Sequence, residues 1–160
     1  MSKVEGKLKE MGFSLPPPPP QGGNYIPAYR TGNLVFLAGV VSRRADGSAV
    51  TGKLGRDLTV EQGYEAARLC ALSSLANLKE AIGDLDRVVH FVKVLGMVNS
   101  EPDFDSPPAV INGFSDLLVD AFGERGRHAR SAVGMATLPR GVAVEVEAIV
   151  EVEAIVEVEE

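Results

Sequence analysis

The stretch ARSAVGMATLPRGVAVEVEAIV, residues 129–150, decides how this chain folds. Its first part, 130–135, and its last, 142–150, are rich in β-branched residues and read as two strands. The turn between them lies around Pro139 to Gly141. In the last strand Val144, Val146, Ala148 and Val150 fall on one face, and Glu145, Glu147 and Ile149 on the other. Strand side chains alternate with a period of two, so one face of that strand belongs to a core.

Working outward, 28–30 and 34–41 form a hairpin about a Gly32-Asn33 turn. Residues 43–52 are polar and glycine-containing, hence a loop. Thr59 and Gln62 make a T-x-x-Q capping box at the start of a helix, whose stripe runs through Ala67, Ala71, Leu75, Leu78 and Ile82 to a stop at Gly83. Residues 88–98 read as a strand. Ser106 caps a second helix with Pro107 at its first position, and Val110, Phe114, Leu117 and Ala121 supply its stripe. The order is β-β-α-β-α-β-β: an α+β fold with a single mixed β-sheet and two helices on one face. Strands 34–41 and 88–98 are apolar at odd and even positions alike, apart from His90 and Lys93. Both faces of such a sheet seek cover. Two helices cover one, so a homo-oligomer is expected to cover the other.

The ends differ from the middle. Residues 1–23 form an N-terminal extension with a potential short helix and five consecutive prolines, Pro16 to Pro20, read as a stiff spacer laid over the surface. Residues 24–153 form the domain. EVEAIV occurs at 145–150 and again at 151–156. A single strand from Val144 to Val158 would reach about 50 Å, longer than such a domain is wide. Residues 154–160 are therefore read as an acidic tail.

Apolar residues make up 45% and charged residues 24% of the 160, a globular balance. A net charge of -6 opposes a nucleic-acid partner, which calls for a basic face. Cys70 is the one cysteine, so an intrachain disulfide and a cysteine metal site are excluded; it is expected buried on its helix. The start has no apolar signal region, and the longest clean apolar run, 34–41, is too short to span a membrane. The expected location is the cytoplasm. Metal motifs, nucleotide loops and serine nucleophile elbows are absent.

Chemistry concentrates at 125–133, where Arg125, Arg127, His128 and Arg130 sit together in an acidic chain. Arg125 and Arg127 read as solvated loop residues, and His128 alone makes no catalyst. Arg130 begins an apolar strand and shares a face with Ala132 and Gly134. A guanidinium beside small residues suits an open pocket where it would grip a carboxylate through a bidentate fork. An interfacial salt bridge explains the same pattern equally well. Glu145, on the face away from the valines, would hold an attacking water if it faced the same crevice. Without that, it is an ordinary outward glutamate.

The block 129–150 resembles the signature of the Rid (reactive intermediate deaminase) family, also called YjgF-like or L-PSP-type. RTGNLVFLAG at 30–39, HFVKVLGMVNSEPDF at 90–104 and the helix containing Asn112 follow in that family's order. The resemblance implies a chorismate-mutase-like fold and a homotrimer with a ligand cleft at each subunit interface. It further implies hydrolysis of 2-imino or 2-enamino acids to 2-keto acids and ammonia, with no cofactor. By that pattern Arg130 holds the substrate carboxylate and Glu145 positions water. Tyr25, Asn112 and Ser131 fall at pocket positions. The chain departs from the pattern where Ala38-Gly39-Val40 replaces Ser-Gly-Gln, where Ala132 stands for a frequent cysteine, and where His128 stands for proline. Two other functions fit the same residues: a non-catalytic binder of keto or amino acids, and, more weakly given the acidic charge, a ribonuclease or translation inhibitor.

Overall fold

The computed structural model describes residues 1–155, and in it the elements run α1 (Lys3–Glu10), β1 (Ala28–Thr31), β2 (Leu34–Val41), α2 (Val60–Ile82), β3 (Val88–Asn99), α3 (Pro107–Phe122), β4 (Ala129–Met135) and β5 (Val144–Val152). The expected β-β-α-β-α-β-β order is present, with α1 placed ahead of it. The strands form one mixed sheet in the order β1-β2-β5-β3-β4. β3 and β4 pair in parallel, and every other pair is antiparallel.

Local chemistry explains the element ends. Gly32 takes φ +55° at the first position of the two-residue hairpin turn, a conformation that glycine adopts without a Cβ penalty. Both halves of the Thr59–Gln62 capping box form, and the helix stops at Gly83. Pro107 opens α3 as expected, but Ser106 does not cap it. Its hydroxyl donates instead to Asp105 Oδ1 at 2.9 Å, so the expected cap is lost to a nearer acceptor.

α2 lies over β2 and β5, and α3 lies over β3 and β4. Between them and the sheet sit Val35, Leu37, Phe91, Val94, Val98, Val144, Val146 and Val150, all buried. From Cys70 to Leu78 every residue of α2 is buried. The helix has the sheet on one side and α3 on another, and Pro16 to Pro19 border it near Ser73. Cys70 is enclosed as expected, and burial pushes its thiol far up. α2 and α3 meet closely at Gly113, where a Cβ would stand 1.9 Å from the Tyr64 carbonyl oxygen. This contact fixes the position of the neighbouring Asn112 and Ser115.

α1 is folded onto the domain rather than held apart from it: Val4 and Leu8 join the main core. Burial alone would raise the Asp86 carboxyl, but the backbone N–H groups of Lys3 and Val4, at 2.8 and 3.0 Å, outweigh it and hold that carboxyl low. Asp86 thus satisfies two amides of the first turn of α1.

The sheet face away from the helices is covered at one end only, where Met97, Leu138 and Val142 cluster with Val41, Leu95 and Met135. Elsewhere it leaves Phe36 and Val133 exposed, with Tyr29 of the edge strand beside Phe36. β5 ends at Val152, two residues into the second EVEAIV copy. Of the predicted tail, 154 and 155 follow without regular structure, and 156–160 lie outside the described residues.

Candidate functional site

Two groups of polar side chains stand out, on opposite faces of the sheet. The first is built on Arg130. Its Cα pairs with Val94, a core residue, so the side chain lies on the helix-covered face and not on the open one. The cause is the parallel pairing of β4 beside β3 at the sheet edge, under α3. Arg130 Nη1 donates to Asn112 Oδ1 at 2.8 Å and to Ser115 Oγ at 3.1 Å, and Nη2 approaches the Pro108 carbonyl at 3.4 Å. Among the described residues no carboxylate pairs with Arg130. A half-buried guanidinium held by neutral groups keeps its charge available to an anion.

His128 completes this group. Its Nδ1 lies 2.7 Å from the Gly126 carbonyl, and its Nε2 lies 2.8 Å from Ser115 Oγ. A carbonyl only accepts, so Nδ1 carries the proton and Nε2 accepts from the Ser115 hydroxyl. The polarity therefore runs Arg130 to Ser115 to His128 to Gly126. Burial lowers the pKa of His128, and the charges of Arg130 and His90 lower it further against the Gly126 hydrogen bond. The neutral imidazole this favours is the form the chain of bonds requires. Sequence reasoning set His128 aside and missed Ser115, because no motif ties residues thirteen positions apart.

Arg125 is not the solvated residue expected. It donates to the Val88 carbonyl at 2.9 Å and lies over the Phe122 ring. Arg127 stays exposed beside Glu124.

The second group lines a cleft of about 680 Å³ on the other side of β5. Glu145 stands beside Val41 and Met97 on the face away from the helices, as the alternation predicted. Burial raises its pKa, and the neighbouring Glu147 raises it further. Tyr25 borders the same cleft, its hydroxyl accepting from the Gly22 amide at 3.0 Å. The β2 irregularity between Leu37 and Val40 brings Gly39 against Glu145. Arg43 and Arg140 also line the cleft, whose lining extends to Asn77 of α2 on the helix-covered side, and none of the three carries a sequence signal for it.

The structure thus brings Arg130 together with Asn112, and Glu145 together with Tyr25, but does not bring the two pairs into one crevice of one chain. Ser131 pairs with Leu95, so it points to the face opposite Arg130. Among the described residues no group of three or more His, Cys, Asp or Glu could hold a metal ion, and no helix is long and apolar enough to cross a membrane.

Comparison with known proteins adds to this geometry. Residues 5–151 match the family described as YjgF/chorismate mutase-like, putative endoribonuclease. The chain is 44% identical over 149 residues to protein TCP17 of Trypanosoma cruzi, covering 92% of this chain and 93% of that one. A crystal structure of a protein of unknown function from Agrobacterium tumefaciens superposes with TM-score 0.86 at 45% identity, covering 93% of this chain and 91% of that one. A putative endoribonuclease from Shewanella oneidensis superposes with TM-score 0.90 at 32% identity, covering 93% and 99%. With the mixed five-stranded sheet and its helical layer in place, these likenesses settle descent: the chain belongs to the YjgF/Rid family, with the chorismate-mutase-like α+β fold.

Proposed function

We propose that this protein hydrolyses reactive 2-imino or 2-enamino acids to 2-keto acids and ammonia, in clefts formed between adjacent copies of a homotrimer. The carrying observation is Arg130, a half-buried guanidinium fixed by Asn112 and Ser115 and free of any acidic partner among the described residues. Such a group suits a substrate carboxylate. Glu145 supplies the second requirement, a partly desolvated carboxylate beside a cleft.

The reaction asks little more. The iminium carbon is already electrophilic. Arg130 fixes the carboxylate, and Glu145 aligns a water and takes its proton as the oxygen adds to C2. The resulting carbinolamine releases ammonia, which departs with a proton, and the carbonyl forms. Positioning alone supplies much of the acceleration.

Because Arg130 and Glu145 lie on opposite sides of one sheet, a small molecule reaches both only if they come from different copies. The apolar surface at Phe36 and Val133 suits burial in such an assembly. The location follows the chemistry: imines arise where pyridoxal-phosphate and amino-acid-oxidising enzymes work, which suits the cytoplasm.

The test is keto-acid release from imine generated by an amino-acid oxidase, with RNA cleavage measured on the same preparation. Acceleration of keto-acid release supports the reading. Keto-acid binding without acceleration would replace it with a non-catalytic binder, and RNA cleavage alone would replace it with the nuclease that some relatives' names suggest. A net charge of -6 weighs against the last.

A further inference from the structure

The cleft beside Glu145 has a polarity that the reading above leaves unused. Glu147 stands opposite Leu95 and Glu145 opposite Met97, so the two carboxylates follow one another along β5. Beyond Glu145 the wall changes sign. Val41 is the partner of Glu145 on β2, and Arg43 comes two residues after it. Arg43 pairs with Ala49, and Thr51 pairs with Val142, both antiparallel. Opposed side chains share a face, as do residues two apart such as Ala49 and Thr51. Arg140 enters from the turn before Val142, so two arginines flank a wall of small side chains, and all of these line the cleft.

No acidic group neutralises this end. Among the described residues neither Arg43 nor Arg140 pairs with a carboxylate, whereas the neighbouring Arg44 is engaged with Ser48 Oγ and the Ala49 carbonyl. The acidity of Glu145 answers to burial and to Glu147, with no arginine lowering it. Arg140 is also the one non-glycine residue in the left-handed region among the described residues, at φ +53°. That conformation is uncommon for a residue with a Cβ, and such residues collect at ligand sites. Gln21 and Thr51 line the cleft too, and their side chains can donate. The Gly22 and Gly47 amides are already engaged, by the Tyr25 hydroxyl and the Arg44 carbonyl. Two guanidiniums with further donors among small residues suit an anion with several acceptor oxygens. Two residues of strand, roughly 7 Å, separate the level of Glu145 from that of Arg43, a gap that a short chain beyond C2 can span.

We propose that Arg43 and Arg140 receive a second carboxylate at the far end of the ligand, so that the cleft favours 2-imino and 2-oxo dicarboxylic acids over acids with an uncharged side chain of the same size. This rests on the proposed function, since it treats the cleft as the substrate's side-chain pocket.

The test is calorimetric binding of 2-oxoglutarate and 5-methyl-2-oxohexanoate to the full chain and to an R43Q, R140Q double variant. The second acid replaces the distal carboxylate by an isopropyl group of the same shape. The wild type is expected to bind 2-oxoglutarate about tenfold more tightly or better, the scale of one charge-assisted contact. The double variant is expected to bring the ratio to one or below, because Glu145 and Glu147 then face the distal carboxylate uncompensated. A wild-type ratio of one or less, as the two glutamates would give if they dominated the cleft, overturns the proposal. So does binding of neither acid, or a ratio untouched in the variant. Should the double variant fail to fold, R140Q, at an exposed turn residue, takes its place and should lower the ratio. Hydrolysis of the imine made from alanine tests the deaminase reading separately. A protein that hydrolyses it without preferring the dicarboxylate keeps the deaminase and loses this role of the arginines. A protein that prefers the dicarboxylate but hydrolyses nothing keeps that role as a binding protein.

Discussion

Gly39 lies against Glu145 so closely that a β-carbon on the glycine would stand 2.9 Å from Glu145 Oε2 and 3.2 Å from its Cδ. The clash would be with the free end of a flexible side chain, not with backbone. Gly39→Ala is therefore expected to fold and melt near the wild type, while pushing the carboxylate aside. A misplacement of about 1 Å can cost roughly a hundredfold in rate. Keto-acid formation should fall at least tenfold on that scale, with ligand binding affected less. Full turnover in a folded Gly39→Ala protein would separate Glu145 from the chemistry.

Arg130→Ala should cut imine hydrolysis sharply and leave the fold intact, since the side chain sits on an edge strand and its hydrogen bonds go to the polar groups of Asn112, Ser115 and Pro108. A charge-assisted bidentate contact contributes on the order of 1.5–3 kcal/mol, so use of the substrate should weaken roughly ten- to a hundredfold or more. Arg130→Lys should not restore it fully. An ammonium cannot serve Asn112, Ser115 and a carboxylate with one planar fork. Steady-state kinetics on both variants check this, and retained activity in Arg130→Ala would move the site elsewhere.

What the sequence disclosed was local or periodic. The Thr59–Gln62 box, the Gly83 stop and the Gly32 turn are set by residues within a few positions of one another. Alternation also put Glu145 on the face away from the valines correctly. It could not say on which face of the sheet Arg130 would lie, because alternation only groups residues and pairing assigns the face. The parallel register of β4 on β3 turned Arg130 toward α3. Likewise α1 reaches the core through Asp86, more than eighty positions away, a contact with no local trace.

The acidity of Glu145 makes a pH prediction. Its folded pKa is raised above the ordinary 4.5, so the folded state favours the protonated carboxyl. Ionisation then opposes folding. This cost is absent in acid, grows as pH rises above the unfolded value, and is complete once the folded pKa is passed. Glu145→Gln should therefore melt higher than the wild type at pH 7.5, and the gap should close below about pH 4. The same variant should bind keto acid yet turn over slowly, since an amide is a poor base. Melting curves at both pH values check the first part, and a gap that widens in acid would contradict it.

Residues 154–160 are expected to be dispensable. β5 ends at Val152, and Glu153 still ties the edge, its amide donating to the Arg87 carbonyl at 3.0 Å and its carbonyl accepting from Arg30 at 2.8 Å. A chain stopped after Glu153 should keep its melting temperature and its assembly. Loss of either would show that the fold needs the second EVEAIV copy beyond Glu153 as well as its first residues, which already close β5.

Two inactive variants can test whether the site is shared between copies. Light scattering should first give about three times the 16.9 kDa chain mass. In a cyclic trimer each cleft would take Arg130 from one copy and Glu145 from the next. Arg130→Ala and Glu145→Gln subunits, unfolded together and refolded at equal ratio, then form mixed rings. Every mixed ring contains one cleft with both native residues, whichever variant is in excess within it. Random assembly makes about three quarters of the rings mixed, so about a quarter of all clefts should be intact. Activity should rise from near zero to about that fraction of the wild type, while each variant refolded alone stays inactive. A site confined to one chain predicts no recovery at any ratio, because no single subunit would hold both side chains. Recovery with the mass of a monomer would contradict the trimer, and a trimer without recovery would contradict the shared cleft.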